Sequence, residues 1–131
     1  MARPPHEHPT PNELEVLQVL WDRGPCTVRE VMNMLNQRRR RAYTSIMSLM
    51  NVMAEKGLLG REPKGRAFIY KARATRKRTL SAMVADLASR AFDGSAGAMV
   101  AHLLEQANLS EDELDEIRQA IDAYRRKRGE E

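Results

Sequence analysis

The residues best suited to chemistry in this chain run from Arg38 to Asn51, in the segment RRRRAYTSIMSLMN. Arg38, Arg39, Arg40 and Arg41 supply four adjacent cations with no acid among them, a grouping that matches the oxygens of successive phosphates. Beyond them Ile46, Leu49, Met50 and Met53 recur at i, i+3, i+4 and i+7, the buried stripe of a helix. Outside that stripe stand Thr44, Ser45, Met47, Ser48 and Asn51, a face that is polar yet uncharged. Short hydroxyl and amide side chains exchange hydrogen bonds with base edges, and asparagine can pair two ways with adenine. Long cations on the same face would favour phosphates over bases. The spacing therefore predicts a helix in the major groove of double-stranded DNA, with Arg38 to Arg41 on the backbone at its edge and readout in the middle.

Other chemistries find less support. No nucleophile–base pair or phosphate-binding loop has its expected spacing, so neither an enzyme nor a catalytic residue is expected. His6 and His8 are two apart near the start, and His102 stands alone on an apolar helix. No metal or cofactor is expected from that set. The single cysteine, Cys26, excludes an internal disulfide framework and reads as a packing residue.

The elements that must hold the polar helix are legible from their ends. Thr10 and Glu13 form a capping box with Pro11 at the first helical position, and Gly24-Pro25 closes that helix. Leu14, Val16, Leu17, Leu20 and Trp21 make its apolar stripe. Thr27 and Glu30 repeat the box, with Cys26 and Val31 at the two positions of a hydrophobic staple. After the polar helix, which Gly57 stops, the period changes. Leu58-Leu59 opens a strand, Pro63-Lys64-Gly65-Arg66 reads as a turn, and Ala67 to Tyr70 alternates as the returning strand. Three helices followed by a hairpin tipped with Lys64 and Arg66 is the order of a winged helix, and those two cations are placed to reach a flanking phosphate or the minor groove.

Past residue 75 the chain is helical again. Leu80, Met83, Val84 and Leu87 form one stripe, Ser95 caps a second helix with Met99, Val100, Leu103 and Leu104, and Ser110 with Glu113 marks a third capping box. That last helix carries Leu114, Ile117, Ile121 and Tyr124. Three short helices make a thin core alone, so a homodimer is expected through Leu80, Met83, Leu87, Val100, Leu103, Leu104, Leu114, Ile117 and Ile121. The domain plan is a flexible tail over 1–9, a winged-helix DNA-binding domain over 10–74, a helical dimerisation domain over 75–126 and a charged tail over 127–131. The fold class is mainly α.

Charge divides along the same line. Residues 1–78 hold 16 Lys and Arg against 7 Asp and Glu, a balance of +9, whereas residues 79–131 hold 6 against 11, a balance of −5. The basic half suits a polyanion, from which bound counterions are released, and the acidic half would be repelled by it. No apolar run approaches a membrane span, and the start MARPPHEHPTP lacks the apolar core of a signal peptide, so a cytoplasmic protein without membrane insertion is expected.

The strings TPNELEVLQVLWDRGPCTVREVMNMLN, AYTSIMSLMNVMAEKGLL, GRAFIYKA and FDGS…LSEDEL resemble the penicillinase-repressor (BlaI/MecI-type) family, from about Thr10 to Tyr124. The resemblance implies a cytoplasmic homodimeric winged-helix repressor that binds a palindromic operator, acting on β-lactam-response or related genes. It further implies that Tyr43, Thr44, Ser45, Met47 and Ser48 make base and backbone contacts, with Arg66 in the wing. In well-known members a membrane sensor protease cuts an Asn–Phe bond; the matching place here is His102-Leu103, a different pair. Two other readings stand beside the repressor: a winged helix that binds an acidic protein, and a repressor released by a small ligand in a pocket closed by Met83, Met99 and Leu103.

Overall fold

The computed structural model describes residues 8–130. Most of the tail expected over 1–9, including His6, lies outside the described residues, as does Glu131. Helix α1 (Pro11–Arg23) starts where the sequence places it: the Thr10 hydroxyl accepts from the Glu13 N–H at 3.2 Å, and the Thr10 N–H donates to Glu13 Oε1 at 2.9 Å. Helix α2 (Val28–Leu35) opens with the same reciprocal pair, Thr27 and Glu30. Helix α3 (Tyr43–Glu55) buries Ile46, Met50 and Met53 along the expected stripe.

The hairpin follows as β1 (Leu59–Lys64) and β2 (Ala67–Ala72), antiparallel, with pairs running from Leu59 opposite Ala72 to Lys64 opposite Ala67. The turn is tighter than the sequence reading had it. Pro63 and Lys64 belong to β1, and only Gly65 and Arg66 connect the strands, with Gly65 at φ +62°. Glycine adopts that left-handed conformation without a Cβ clash. Pro63 is tolerated because β1 is an edge strand, where its missing N–H costs no ladder bond.

β2 has a second neighbour. The Cys26 N–H donates to the Tyr70 carbonyl at 3.0 Å and the Tyr70 N–H donates to the Cys26 carbonyl at 2.8 Å, a one-residue bridge from the α1–α2 connection. Both side chains are buried in one core with Val16, Leu17, Leu20, Val28, Val31, Leu35, Ile46, Met50, Met53 and Leu59. Trp21 packs at the edge of that core and donates its indole N–H to the Ala74 carbonyl at 3.0 Å, tethering the chain as it leaves β2. Three helices and a hairpin around this core are a winged helix.

Helices α4 (Arg76–Ala91), α5 (Ala96–Gln106) and α6 (Glu111–Gly129) complete the chain. The chain divides into two compact units between Asp86 and Leu87, within α4. α6 continues through Gly129, so residues 127–129, placed in a charged tail by the sequence reading, are helical, with Arg126, Lys127 and Arg128 at the end the helix dipole favours for cations. The Ser110 box is half formed: its hydroxyl accepts from the Glu113 N–H at 3.2 Å, but the Glu113 carboxylate meets the Ser110 hydroxyl instead of the backbone.

One carboxylate lies inside the core wall. Glu13 is 1% exposed and its Oε2 accepts from Lys56 Nζ at 2.8 Å, linking α1 to the end of α3. Burial pushes the Glu13 carboxyl up, but the Lys56 ammonium and the hydrogen bonds with Thr10 outweigh it and hold the group below its ordinary value. A depressed carboxyl adds stability above the unfolded value and loses it as pH falls through the folded one. Glu13→Gln is expected to cost about 2 kcal/mol at neutral pH. Urea unfolding across pH should show the gap to wild type closing as pH drops below about 4.3; a gap that persists in acid would remove the charge from the explanation.

Candidate nucleic-acid interface

α3 presents two opposed faces. Its buried stripe packs into the core, while Tyr43, Thr44, Ser45, Met47 and Ser48 are all exposed on the outer side. Thr44, Ser48 and Asn51 lie at i, i+4 and i+7, so they form one row along the helix. The row begins at an end that no side chain caps: Ala42 occupies the N-cap and offers none. The first N–H groups of α3 are thus left to acceptors from outside. Tyr43 is held from α2, with the Arg29 guanidinium 5.2 Å from its ring centroid. An open recess of about 650 Å³ beside α3 is lined by Asn12, Arg39, Ser45, Ser48 and Lys56 among others, bringing cations and hydroxyls together.

The arginine run is not uniform. Arg38 and Arg40 are exposed and make no ion pair among the described residues. Arg39 keeps 63% of its side chain exposed while touching Asn12 at 3.4 Å and Glu15 at 3.8 Å. Arg41 differs. Only 12% of its side chain is exposed, and Nη2 lies 2.7 Å from Glu15 Oε2. Its backbone is clasped by Asn36, whose Oδ1 accepts from the Arg41 N–H at 2.9 Å and whose Nδ2 donates to the Arg41 carbonyl at 3.3 Å. Arg41 therefore ties the loop before α3 to α1, a setting unlike that of its exposed neighbours. A partner 26 residues away in sequence is invisible in a run of identical residues.

Asn51 is also engaged within the chain. Its Oδ1 accepts from Tyr70 Oη at 2.7 Å and from Arg61 Nη1 at 2.8 Å. Two-way pairing with adenine would draw on that same oxygen. Sequence gave no warning, because neither Arg61 nor Tyr70 had been linked to the helix. The wing tip stands as expected, with Lys64 and Arg66 exposed at the turn. Cys26 shows no sign of a reactive thiol: burial first, then the Glu30 charge, push it up against the opposing effect of Arg23.

In the helical region none of the nine residues expected at a dimer contact is buried. Leu87, Val100, Leu103, Leu104, Leu114 and Ile121 are exposed, and Leu80, Met83 and Ile117 are partly so. His102 and Leu103 lie within α5, where His102 stacks at a tilt on Phe92 with centroids 5.7 Å apart. A protease would have to unwind that turn before cutting it. Among the described residues no cluster of His, Cys, Asp or Glu suits a metal ion, and no helix is long and apolar enough to cross a membrane.

Residues 9–123 match a family model described as penicillinase repressor. The penicillinase repressor of Bacillus licheniformis is 25% identical over 118 residues, covering 90% of this chain and 92% of that protein. A transcriptional regulator BlaI of Mycobacterium tuberculosis is 33% identical over 111 residues, covering 83% of this chain and 79% of its own length. Among solved structures, a MarR family protein from Bacillus stearothermophilus shares the fold with a TM-score of 0.50 at 19% identity, over 92% of this chain and 75% of that one.

The split within the arginine run is open to direct measurement. Arg41→Ala removes a half-buried contact to Glu15, which keeps Arg39 and solvent, and is expected to lower unfolding stability by about 1 kcal/mol, whereas Arg40→Ala should stay within about 0.5 kcal/mol of wild type. Equal losses in urea unfolding would contradict the assignment.

Proposed function

The chain belongs to the penicillinase-repressor family, a family of transcriptional regulators and not of enzymes, and on that premise we propose that it represses transcription by binding a palindromic operator as a cytoplasmic homodimer. The observation that carries the reading is the exposed, uncharged outer face of α3, with Thr44, Ser45, Met47 and Ser48 on it and the exposed cations Arg38 and Arg40 beside it. Thr44, Ser45, Met47 and Ser48 meet base edges, the Met47 thioether meeting a thymine methyl. Tyr43, Arg38, Arg39 and Arg40 grip the backbone beside them, and Lys64 and Arg66 take a flanking phosphate or the minor groove. An acidic protein partner would be met as well by cations alone and gives no reason for a row of hydroxyls.

The exposed apolar side chains of α4, α5 and α6 support the dimer. A second copy of the chain buries them, and a twofold axis then places two α3 helices on half-sites separated by multiples of about 10 bp. Leu103→Asp is expected to shift the protein toward monomer in sedimentation velocity at micromolar concentration while leaving far-UV circular dichroism of the winged helix in place. An unchanged dimer would move the contact off α5.

The DNA reading is tested by selection of random duplexes, with the winners re-measured by fluorescence anisotropy. A palindrome bound by two chains is the expected result, and its occurrences upstream of genes identify what is controlled. Raising salt from about 50 to about 200 mM should weaken that complex by roughly 10³–10⁵-fold if about 6–10 phosphates are neutralised. Binding that is equally salt-sensitive but indifferent to sequence would favour a general polyanion grip.

A further inference from the structure

Asn51, Arg61 and Tyr70 meet where the end of α3 faces the base of the wing, and three features of the meeting are unusual. First, Asn51 Oδ1 accepts from both donors at once, Tyr70 Oη at 2.7 Å and Arg61 Nη1 at 2.8 Å. The orientation of the amide is forced: a guanidinium only donates, so the atom facing Arg61 has to be oxygen. Second, Arg61 and Tyr70 are direct partners in the β1–β2 ladder, so one helix side chain holds both strands at the same level. Third, each partner is itself fixed. Tyr70 is 2% exposed and exchanges two backbone hydrogen bonds with Cys26, while the Arg61 guanidinium lies 4.9 Å from the Phe68 ring centroid, farther along the wing.

We infer that Asn51 is a positioning residue: with Arg61 and Tyr70 it latches the wing to the recognition helix and so sets where Lys64 and Arg66 meet DNA. The inference rests on the DNA-binding reading above and assigns Asn51 a part in it different from base readout. The lever is short and stiff. Lys64 is three residues along β1 from Arg61, about 10 Å of strand, so a tilt of about 10° at the latch displaces the tip by about 2 Å. That displacement exceeds the tolerance of a charge-assisted hydrogen bond to a phosphate oxygen. The latch keeps the spacing between α3 and the wing tip constant, and with it the length of DNA that one protomer reads.

A double-mutant cycle on the full chain tests this, using the palindrome that wild type selects and anisotropy across salt. In the wild-type background Lys64→Ala with Arg66→Ala, which removes two cations from each of the two protomers, is expected to weaken binding at least on the order of tenfold and to reduce the salt slope by about 4. In an Asn51→Ala background the same pair should cost less than about threefold, with little change in slope, because the tip has already lost its place. Tyr70→Phe removes only the hydroxyl, leaves the ring in the core, and should lower the tip's contribution in the same direction. Repeating the selection with Asn51→Ala should return the wild-type sequence at positions facing Thr44 and Ser48. Losses that add fully, or a base preference that relaxes at one position in Asn51→Ala, would overturn the latch and restore Asn51 as a reader. A wing tip whose removal costs nothing in wild type would overturn it as well. A wild type that selects no sequence would overturn the operator reading and the latch together, whereas a selective wild type with additive losses overturns the latch alone.

Discussion

Tyr70 is the residue on which helices and hairpin become one body. Its ring fills the core, its peptide exchanges two hydrogen bonds with Cys26, and its hydroxyl reaches Asn51 on α3. A two-stranded hairpin has little stability of its own in water. Here it is held at the Tyr70 level by a backbone bridge and a side-chain hydrogen bond, and at its base by buried Leu59 and the Trp21 bond to Ala74. Beyond that base, Tyr70 sets where the wing stands and where Arg61, its partner across the ladder, is placed.

A second constraint governs α3. The helix has to bury Ile46, Met50 and Met53 firmly enough to stay in place while leaving its other side free of internal partners. Charge is handled accordingly. Arg41 is drawn inward against Glu15, and Lys56 against Glu13, so α1 is tied to the chain before α3 and to its far end by ion pairs. Removing one member of such a pair leaves the other charge partly desolvated, so each contact bears on stability as well as on geometry. Arg38 and Arg40 lie outside those pairs and stay exposed. Burial thus separates four identical neighbours into two settings.

Much of this was legible in the sequence because the signals were local. Capping boxes at Thr10 and Thr27, the stripe on α3 and the glycine stops all act within a few residues, and the structure has them where expected. What was not legible was set by residues distant in sequence. Arg41 is separated from Glu15 by a helix and two turns, and Asn51 from Tyr70 by a whole strand, so nothing in either neighbourhood marks the pairing. The tight turn at Gly65 was missed for a related reason: Pro63 reads as a strand breaker unless its strand is known to be an edge. Family resemblance supplied the regulatory reading, and the residues supplied the reason a helix with this outer face suits it.

We propose that α3 reads base edges in the major groove. Methylation interference on a selected duplex tests it most directly, since a methyl group on guanine N7 blocks the major groove and one on adenine N3 blocks the minor. Interference is expected at guanine N7 in two clusters related by the operator dyad, about one helical turn or a multiple of it apart. Interference confined to ethylated phosphates, with methylated bases bound as well as unmodified ones, would contradict it and leave only a backbone grip.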